Sequence, residues 1–206
     1  PHPAADMALE VCEGARRLRN AVAYKTGLVE LQDAASQAVV EQLPLSDGMK
    51  VLDYCAGGGG KALAMAARAD IHLFAHDADP RRMKDLPDRA ARANAAVKCV
   101  GTDALGAAAP FDLVLCDVPC SGSGSWRRAP EGKWRLSAQR LDELRQVQAG
   151  ILRHPAAILP MPHAPCCVRK TPNRFRPLCA TTRGGRWARN AVGGSRTAQM
   201  DFMLPC

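Results

Sequence analysis

Apolar residues recur at helical spacing among good helix formers in LVELQDAASQAVVEQL, Leu28 to Leu43, and the pattern stops at Pro44 and the turn-like Ser46-Asp47-Gly48. It predicts a helix packed by one face. The short apolar run Lys50 to Cys55 follows as a first strand, then the glycine-rich stretch Ala56 to Lys61 as a loop, then an alanine-rich helix to about Arg68. Ile71 to His76 predicts a second strand ending at Asp77, and Pro80 to Ala93 a helix interrupted near Pro87. Val97 to Gly101 predicts a third strand ending at Thr102-Asp103, and Phe111 to Asp117 a fourth. Strands alternating with helices imply an α/β fold, a parallel sheet covered on both faces, with ligands bound beyond the carboxyl ends of the strands. Asp53, Asp77, Asp103 and Asp117 stand at those ends and are expected around one pocket.

This patterning ends near residue 152. The segment after it shows neither helix nor strand period and holds seven of the 15 prolines, several in short succession. It also holds nine basic residues against the single acid Asp201, so the whole net charge of +8 resides there and the preceding part is neutral. The charge is therefore a weak argument for nucleic acid. The expected organisation is residues 1–25 as a remnant of an upstream linker or domain, 26–152 as the functional domain, and 153–206 as a disordered basic tail.

With 206 residues, 47% of them hydrophobic, the chain suffices for one domain with a real core. No run of eighteen or more apolar residues is available to span a bilayer, and Pro1 to Glu10 lacks the layout of a signal peptide, so a cytoplasmic protein without a membrane partner is expected. Nine cysteines without a C-x-x-C pair suit neither a zinc knuckle nor a secreted disulfide framework. They are read as reduced thiols, and no metal is expected.

A glycine turn after the first strand lets the backbone approach a ligand, and an acid ending the second strand can take both hydroxyls of a ribose. Gly57 to Gly60 and Asp77 meet that description. By themselves they also fit a nicotinamide-dinucleotide site or a tight turn without any ligand. A phosphate loop fits less well, with Cys55 at its first glycine and Ala62 in place of its Ser or Thr.

The segment DVPCSGSGSWRRAPEGKWR, Asp117 to Arg135, separates these readings, because a dehydrogenase has no need of it. Together with LQDAASQ upstream, the CAGGGGK loop and the helix ending Gln148-Ala149-Gly150-Ile151-Leu152, it resembles the Sun/Nop family of RNA cytosine-5 methyltransferases over roughly residues 18 to 152. The resemblance implies a Rossmann-like S-adenosylmethionine-dependent methyltransferase fold, its sheet incomplete after the fourth strand, and methyl transfer to carbon 5 of cytosine in RNA. Since bacterial members methylate small-subunit ribosomal RNA, that RNA is the expected partner.

By the same resemblance, Cys55, Ala56, Gly57, Gly58, Gly59, Gly60 and Lys61 wrap the methionine and ribose of the cofactor. Asp77 holds the ribose hydroxyls, Asp103 lies by the adenine, and Asp117 sits between cofactor and cytosine. Gly58 replaces the proline usual in this loop, which loosens the turn but removes no ligand group. Arg127, Arg128, Lys133 and Arg135, interleaved with Trp126 and Trp134, suit phosphate contact and base stacking on single-stranded RNA; a solvated charged loop is the plainer alternative.

In the family a thiolate adds to carbon 6 of cytosine and so makes carbon 5 nucleophilic. The resemblance places that thiolate in a later Thr-Cys motif and gives Cys120, the Pro-Cys thiol, a part in product release. The Thr-Cys motif is absent. Read two bases later, codons for Pro155-Ala156-Ala157 permit Pro-Gly-Gly, those for Met161 to Asn173 permit Tyr-Ala-Thr-Cys-Ser-Leu-Leu-Arg-Ala-Glu-Asn, and those for Ala198 to Met203 permit Thr-Asp-Gly-Phe-Tyr. These resemble three further family signatures, so the tail is read as translated out of frame. Cys166 and Cys167 fall near the expected nucleophile without matching neighbours. Two other functions remain beside an impaired methyltransferase: a cofactor- or RNA-binding remnant without turnover, and a nicotinamide-dependent oxidoreductase.

Overall fold

The structure, a computed structural model, describes residues 1–126, 129–153, 166–171 and 174–179. Six strands form one sheet: β1 (Lys50–Asp53), β2 (His72–Ala75), β3 (Val97–Cys99), β4 (Leu113–Cys116), β5 (Cys166–Thr171) and β6 (Arg174–Cys179), in the order β3-β2-β1-β4-β5-β6. The first five run parallel to their neighbours and β6 is antiparallel to β5. The four expected strands are present, with ends trimmed by a residue or two. The expectation that the sheet stops there is corrected, since two strands from the basic, Pro-rich segment continue it. The physical reason is that the open edge of β4 presents unpaired backbone N–H and C=O groups, which pair with an extended segment whatever its side-chain pattern.

The helices are α1 (Val22–Lys25), α2 (Ala34–Glu41), α3 (Gly60–Ala66), α4 (Leu86–Arg92), α5 (Leu105–Ala108), α6 (Glu131–Trp134) and α7 (Ala138–Arg153). The helix expected from Leu28 starts instead at Ala34, where the Asp33 carboxylate accepts a hydrogen bond from the Ala35 amide at 3.0 Å and caps it. Glu30 and Gln32, just upstream, are drawn into contacts described below. The Pro80 to Ala93 stretch divides as expected. It forms a 3-10 turn, Pro80–Met83, and then α4, with Pro87 in the first helical turn where its missing N–H costs nothing.

Alternation along the strands assigns two faces. Val51, Leu73, Leu113 and Leu115 pack with Val39, Val40, Ala62 and Met65 under α2 and α3. Leu52, Val114 and Cys116 pack on the other face with Phe111, Leu105 and the half-buried Ile151 of α7. Among the described residues no helix is long and apolar enough to cross a membrane.

Candidate active site

Because side chains alternate along a strand, the faces of Val51, Leu73 and Leu115 are also the faces of Asp53, Asp77 and Asp117, one or two steps further on. The parallel register then brings these three carboxylates together over the start of α3. Lys61, in the first turn of α3, places its ammonium 2.6 Å from Asp117, with both side chains mostly buried. Asp53 is 1% exposed, and neither of its oxygens makes a well-formed hydrogen bond, although the Ala62 amide lies near enough to favour its charge. Burial pushes its carboxyl up to about 7; Lys61 opposes the shift, and Asp117 and Asp77 add to it.

The glycine loop joins this cluster through its backbone. Gly57, at φ 51°, donates its amide to Asp77 at 3.0 Å, and the Asp79 amide donates to the other Asp77 oxygen at 3.0 Å. The Ala56 amide is bonded to the His76 carbonyl at 2.9 Å and the Gly59 amide to the Ala56 carbonyl at 2.8 Å. Gly59 caps α3 at φ 80°, and a Cβ there would lie 2.1 Å from Leu86 Cδ1. The Gly58 carbonyl accepts from Arg89 and that of Gly60 from Gln32 Nε2 at 3.0 Å. Burial pushes the Cys55 thiol up to about 12, with the three aspartates adding to the shift, so it stays a protonated neutral wall of the loop.

Several residues without a motif of their own complete the site. Arg82, half-exposed, lies 3.1 Å from Asp77. His76 is buried on the opposite sheet face, its Nδ1 at 2.9 Å from the Tyr54 carbonyl and its Nε2 at 3.0 Å from Thr102 Oγ1. The carbonyl can only accept, so Nδ1 carries a proton and donates it to Tyr54, while Nε2 is bonded to the Thr102 hydroxyl. This links β1 and β2 to the 3-10 turn Thr102–Ala104 that carries the exposed Asp103. Asp103 stands at the same end of the sheet as the other three acids, on the turn after β3. None of these auxiliary residues has a signal in one sequence: His76 acts on groups more than twenty residues away, and Arg82 acts back across a turn that no periodicity marks.

Cys120 is half-buried, and its loop is held by Gln148 Nε2 of α7, which donates to the Pro119 carbonyl at 2.8 Å. Lys133 and Arg135 are exposed, and the Lys133 ammonium lies 5.5 Å from the ring centre of Trp134, itself 81% exposed. Trp126 by contrast is half-buried, and its Nε1 has no hydrogen-bond partner among the described residues. Arg127 and Arg128 lie outside the described residues. In the sheet register Cys167 pairs with Val114 and Cys166 with Cys179. At about 3.3 Å rise per residue, Cys167 stands roughly 10 Å on the amino side of the Asp117 level. The backbone therefore sets Cys166, Cys167 and Cys179 away from the carboxylate cluster.

Residues 40–162 match the family model of the 16S rRNA methyltransferases RsmB/F. The chain belongs to the RsmB/F family. Ribosomal RNA small subunit methyltransferase B of Vibrio vulnificus is 34% identical over 134 residues, which cover 62% of this chain and 32% of that protein. Its counterpart in Xanthomonas campestris is 36% identical over 138 residues, covering 63% of this chain and 31% of that protein. The chain thus spans about a third of the length of the curated relatives it matches. Among solved structures, PH0851 superposes with a TM-score of 0.63 at 30% identity, over 72% of this chain and 35% of that one. NSun6 from Pyrococcus horikoshii, solved with SFG, gives 0.62 at 20% identity, over 73% and 40% respectively. The fold is thus the Rossmann-like α/β fold of S-adenosylmethionine-dependent methyltransferases. Membership in RsmB/F gives no support to the nicotinamide-dependent alternative.

Proposed function

We propose that this chain binds S-adenosylmethionine at the carboxyl ends of β1, β2 and β4 and holds it for methylation of carbon 5 of a cytosine in small-subunit ribosomal RNA, in the cytoplasm, with turnover impaired. Residues 26–152 supply this function, and residues 153–206 are a tail translated out of frame. The observation that carries the reading is Asp53, a fully buried carboxylate with no well-formed hydrogen bond, set beside a glycine turn and an Asp-Lys ion pair in a member of RsmB/F. Buried charge without a partner is costly, and a cationic ligand group would satisfy it. When bound, the cofactor supplies an electrophilic methyl carbon.

The protein's own groups then have distinct roles. Asp77, fixed by two backbone amides and paired with Arg82 at 3.1 Å, has its carboxylate oriented before any ribose arrives. Gly57 and Gly59, at positive φ, allow the chain from Cys55 through Ala56, Gly58 and Gly60 to come close to the ligand without side chains in the way. Asp103 serves the adenine. Lys61 anchors the Asp117 carboxylate, through their ion pair, at the boundary between cofactor and cytosine. Cys120 serves product release. Arg127, Arg128, Lys133 and Arg135 contact phosphates, and the exposed indole of Trp134 offers a face for base stacking.

Calorimetric titration with S-adenosylhomocysteine and with NAD tests this reading. Saturable binding of the first, lost in Asp77→Ala, is expected, with none of the second. Binding of NAD alone would end it.

A further inference from the structure

A loop of four consecutive glycines has the largest backbone freedom a chain offers, so holding it ready for a ligand requires something outside the loop. The side chains that bond its carbonyls come from α4 and from the segment before α2. Arg89 of α4 donates to the Gly58 carbonyl and also pairs with Glu30 at 3.3 Å. Glu30 pairs a second time with Arg92, whose guanidinium lies 4.2 Å from the ring centre of Tyr24 in α1. Gln32, two residues beyond Glu30, donates to the Gly60 carbonyl. The charged side chains involved are largely buried, Glu30 at 18% exposure and Arg89 and Arg92 at 21% each. Gly27, at φ 78°, permits the close approach, because a Cβ there would meet the Arg92 carbonyl oxygen at 1.9 Å.

We infer that Arg89 of α4, Glu30 and Gln32 are positioning residues: residues 22–32 form a strap that holds Gly60 through Gln32 and, through Glu30, the Arg89 side chain that holds Gly58, so fixing both peptide planes before the cofactor binds. The inference rests on the proposed cofactor site and deepens it. The strap lies before residue 40, where the match to the family model begins. Gly58, unlike its neighbours Gly57 and Gly59, is absent from the positive-φ set, and its N–H donates no hydrogen bond among the described residues. A side chain that would stiffen the loop from within is missing at that position, and Arg89 holds the same residue from outside. An ordinary ion pair between α4 and the strap would add to global stability and leave the loop unaffected.

The two roles separate by experiment. Amide hydrogen exchange is followed for residues 55–62 in the ligand-free chain, and S-adenosylhomocysteine binding is measured by calorimetry, for wild type, Arg89→Met, Glu30→Gln and Gln32→Leu. Arg89→Met is expected to speed exchange at Gly58 to Gly60 and to weaken binding, each by about tenfold, as loss of one charge-assisted hydrogen bond implies. Glu30→Gln, the milder change if Arg89→Met fails to fold, is expected to act in the same direction. Adding Gly58→Pro to Arg89→Met fixes φ from within and is expected to restore both readings. Loop exchange unchanged in folded Arg89→Met and Glu30→Gln would overturn the strap, and so would failure of the proline to rescue. If the wild type does not bind S-adenosylhomocysteine, the proposed function falls, while the exchange data still decide whether the strap holds the loop.

Discussion

Gly58 and Gly59 are neighbours with opposite tolerance. At Gly59 an alanine must adopt φ 80° and place its Cβ 2.1 Å from Leu86, a buried core residue, whereas at Gly58 it meets only the end of the Arg89 side chain at 3.1 Å. Gly59→Ala is therefore expected to cost about 2–4 kcal/mol, and Gly58→Ala less than about 1 kcal/mol. Urea unfolding of the two variants checks this, and equal costs would show that the loop is not held in the conformation described. Asp53 makes a second residue-scale prediction. Its carboxyl is pushed by burial from the ordinary 3.8 up to about 7. Between those pH values the folded chain keeps a proton that the unfolded chain has released, so stability is greatest below the window and falls as pH rises through it. Asp53→Asn removes this dependence. It should stabilise the ligand-free chain by roughly 1–3 kcal/mol at pH 8 and by less at pH 5, while weakening S-adenosylhomocysteine binding. A stability gain no larger at pH 8 than at pH 5 would contradict the burial assigned to Asp53. At this scale the acids were legible in sequence because each stands at, or within a few residues of, the carboxyl end of a strand. Arg82, His76 and Arg89 were not, because their partners lie on elements remote in sequence or on turns that no periodicity marks.

The four parallel strands were legible as elements because burial on both faces demands continuous apolar runs, as in Leu113-Val114-Leu115-Cys116. The start of α2 was misjudged by six residues, since the apolar spacing of Leu28 to Leu43 continues through a segment whose Glu30 and Gln32 bond to α4 and the glycine loop instead of to a helix. Strands β5 and β6 were illegible for another reason: backbone pairing to an open edge leaves no trace in side-chain alternation. Helix α7 illustrates how an element serves the site. Among its described side chains Leu144 and Gln148 are buried, and Gln148 spends its amide on the Pro119 carbonyl next to Cys120. Gln148→Leu keeps the apolar contact and leaves that carbonyl without its donor. The expected result is a loss of about 1–2 kcal/mol and faster amide exchange in residues 118–122, with α3 unaffected. Exchange that rises equally in α3 would mean that α7 supports the whole sheet, and not this loop in particular.

For the molecule as a whole, a well-formed cofactor end is joined to a sheet whose last strands come from a segment without the family's nucleophile motif. Activation of carbon 5 of cytosine requires a nucleophile at carbon 6, and well-placed cofactor cannot supply it. Four of the thiols are unsuited to that attack. Cys55 is held protonated, with its pKa pushed up to about 12, and Cys166, Cys167 and Cys179 stand on the amino side of the sheet. Cys120, in the loop after Asp117, is the remaining motif-placed thiol. The present chain is therefore expected to bind RNA through phosphate contacts that weaken with salt, yet to transfer no methyl group. A version carrying the alternative frame from about residue 152, and with it the Thr-Cys motif, is expected to turn over. Incubation of both with unmodified small-subunit ribosomal RNA and radiolabelled S-adenosylmethionine decides between the outcomes. Transfer by the present chain that disappears in Cys120→Ala would make Cys120 the nucleophile. Equal inactivity of the two versions would remove the reading frame as the cause, because the proposed cofactor end, the loop proposed to contact RNA and the restored thiol would then all be present without chemistry.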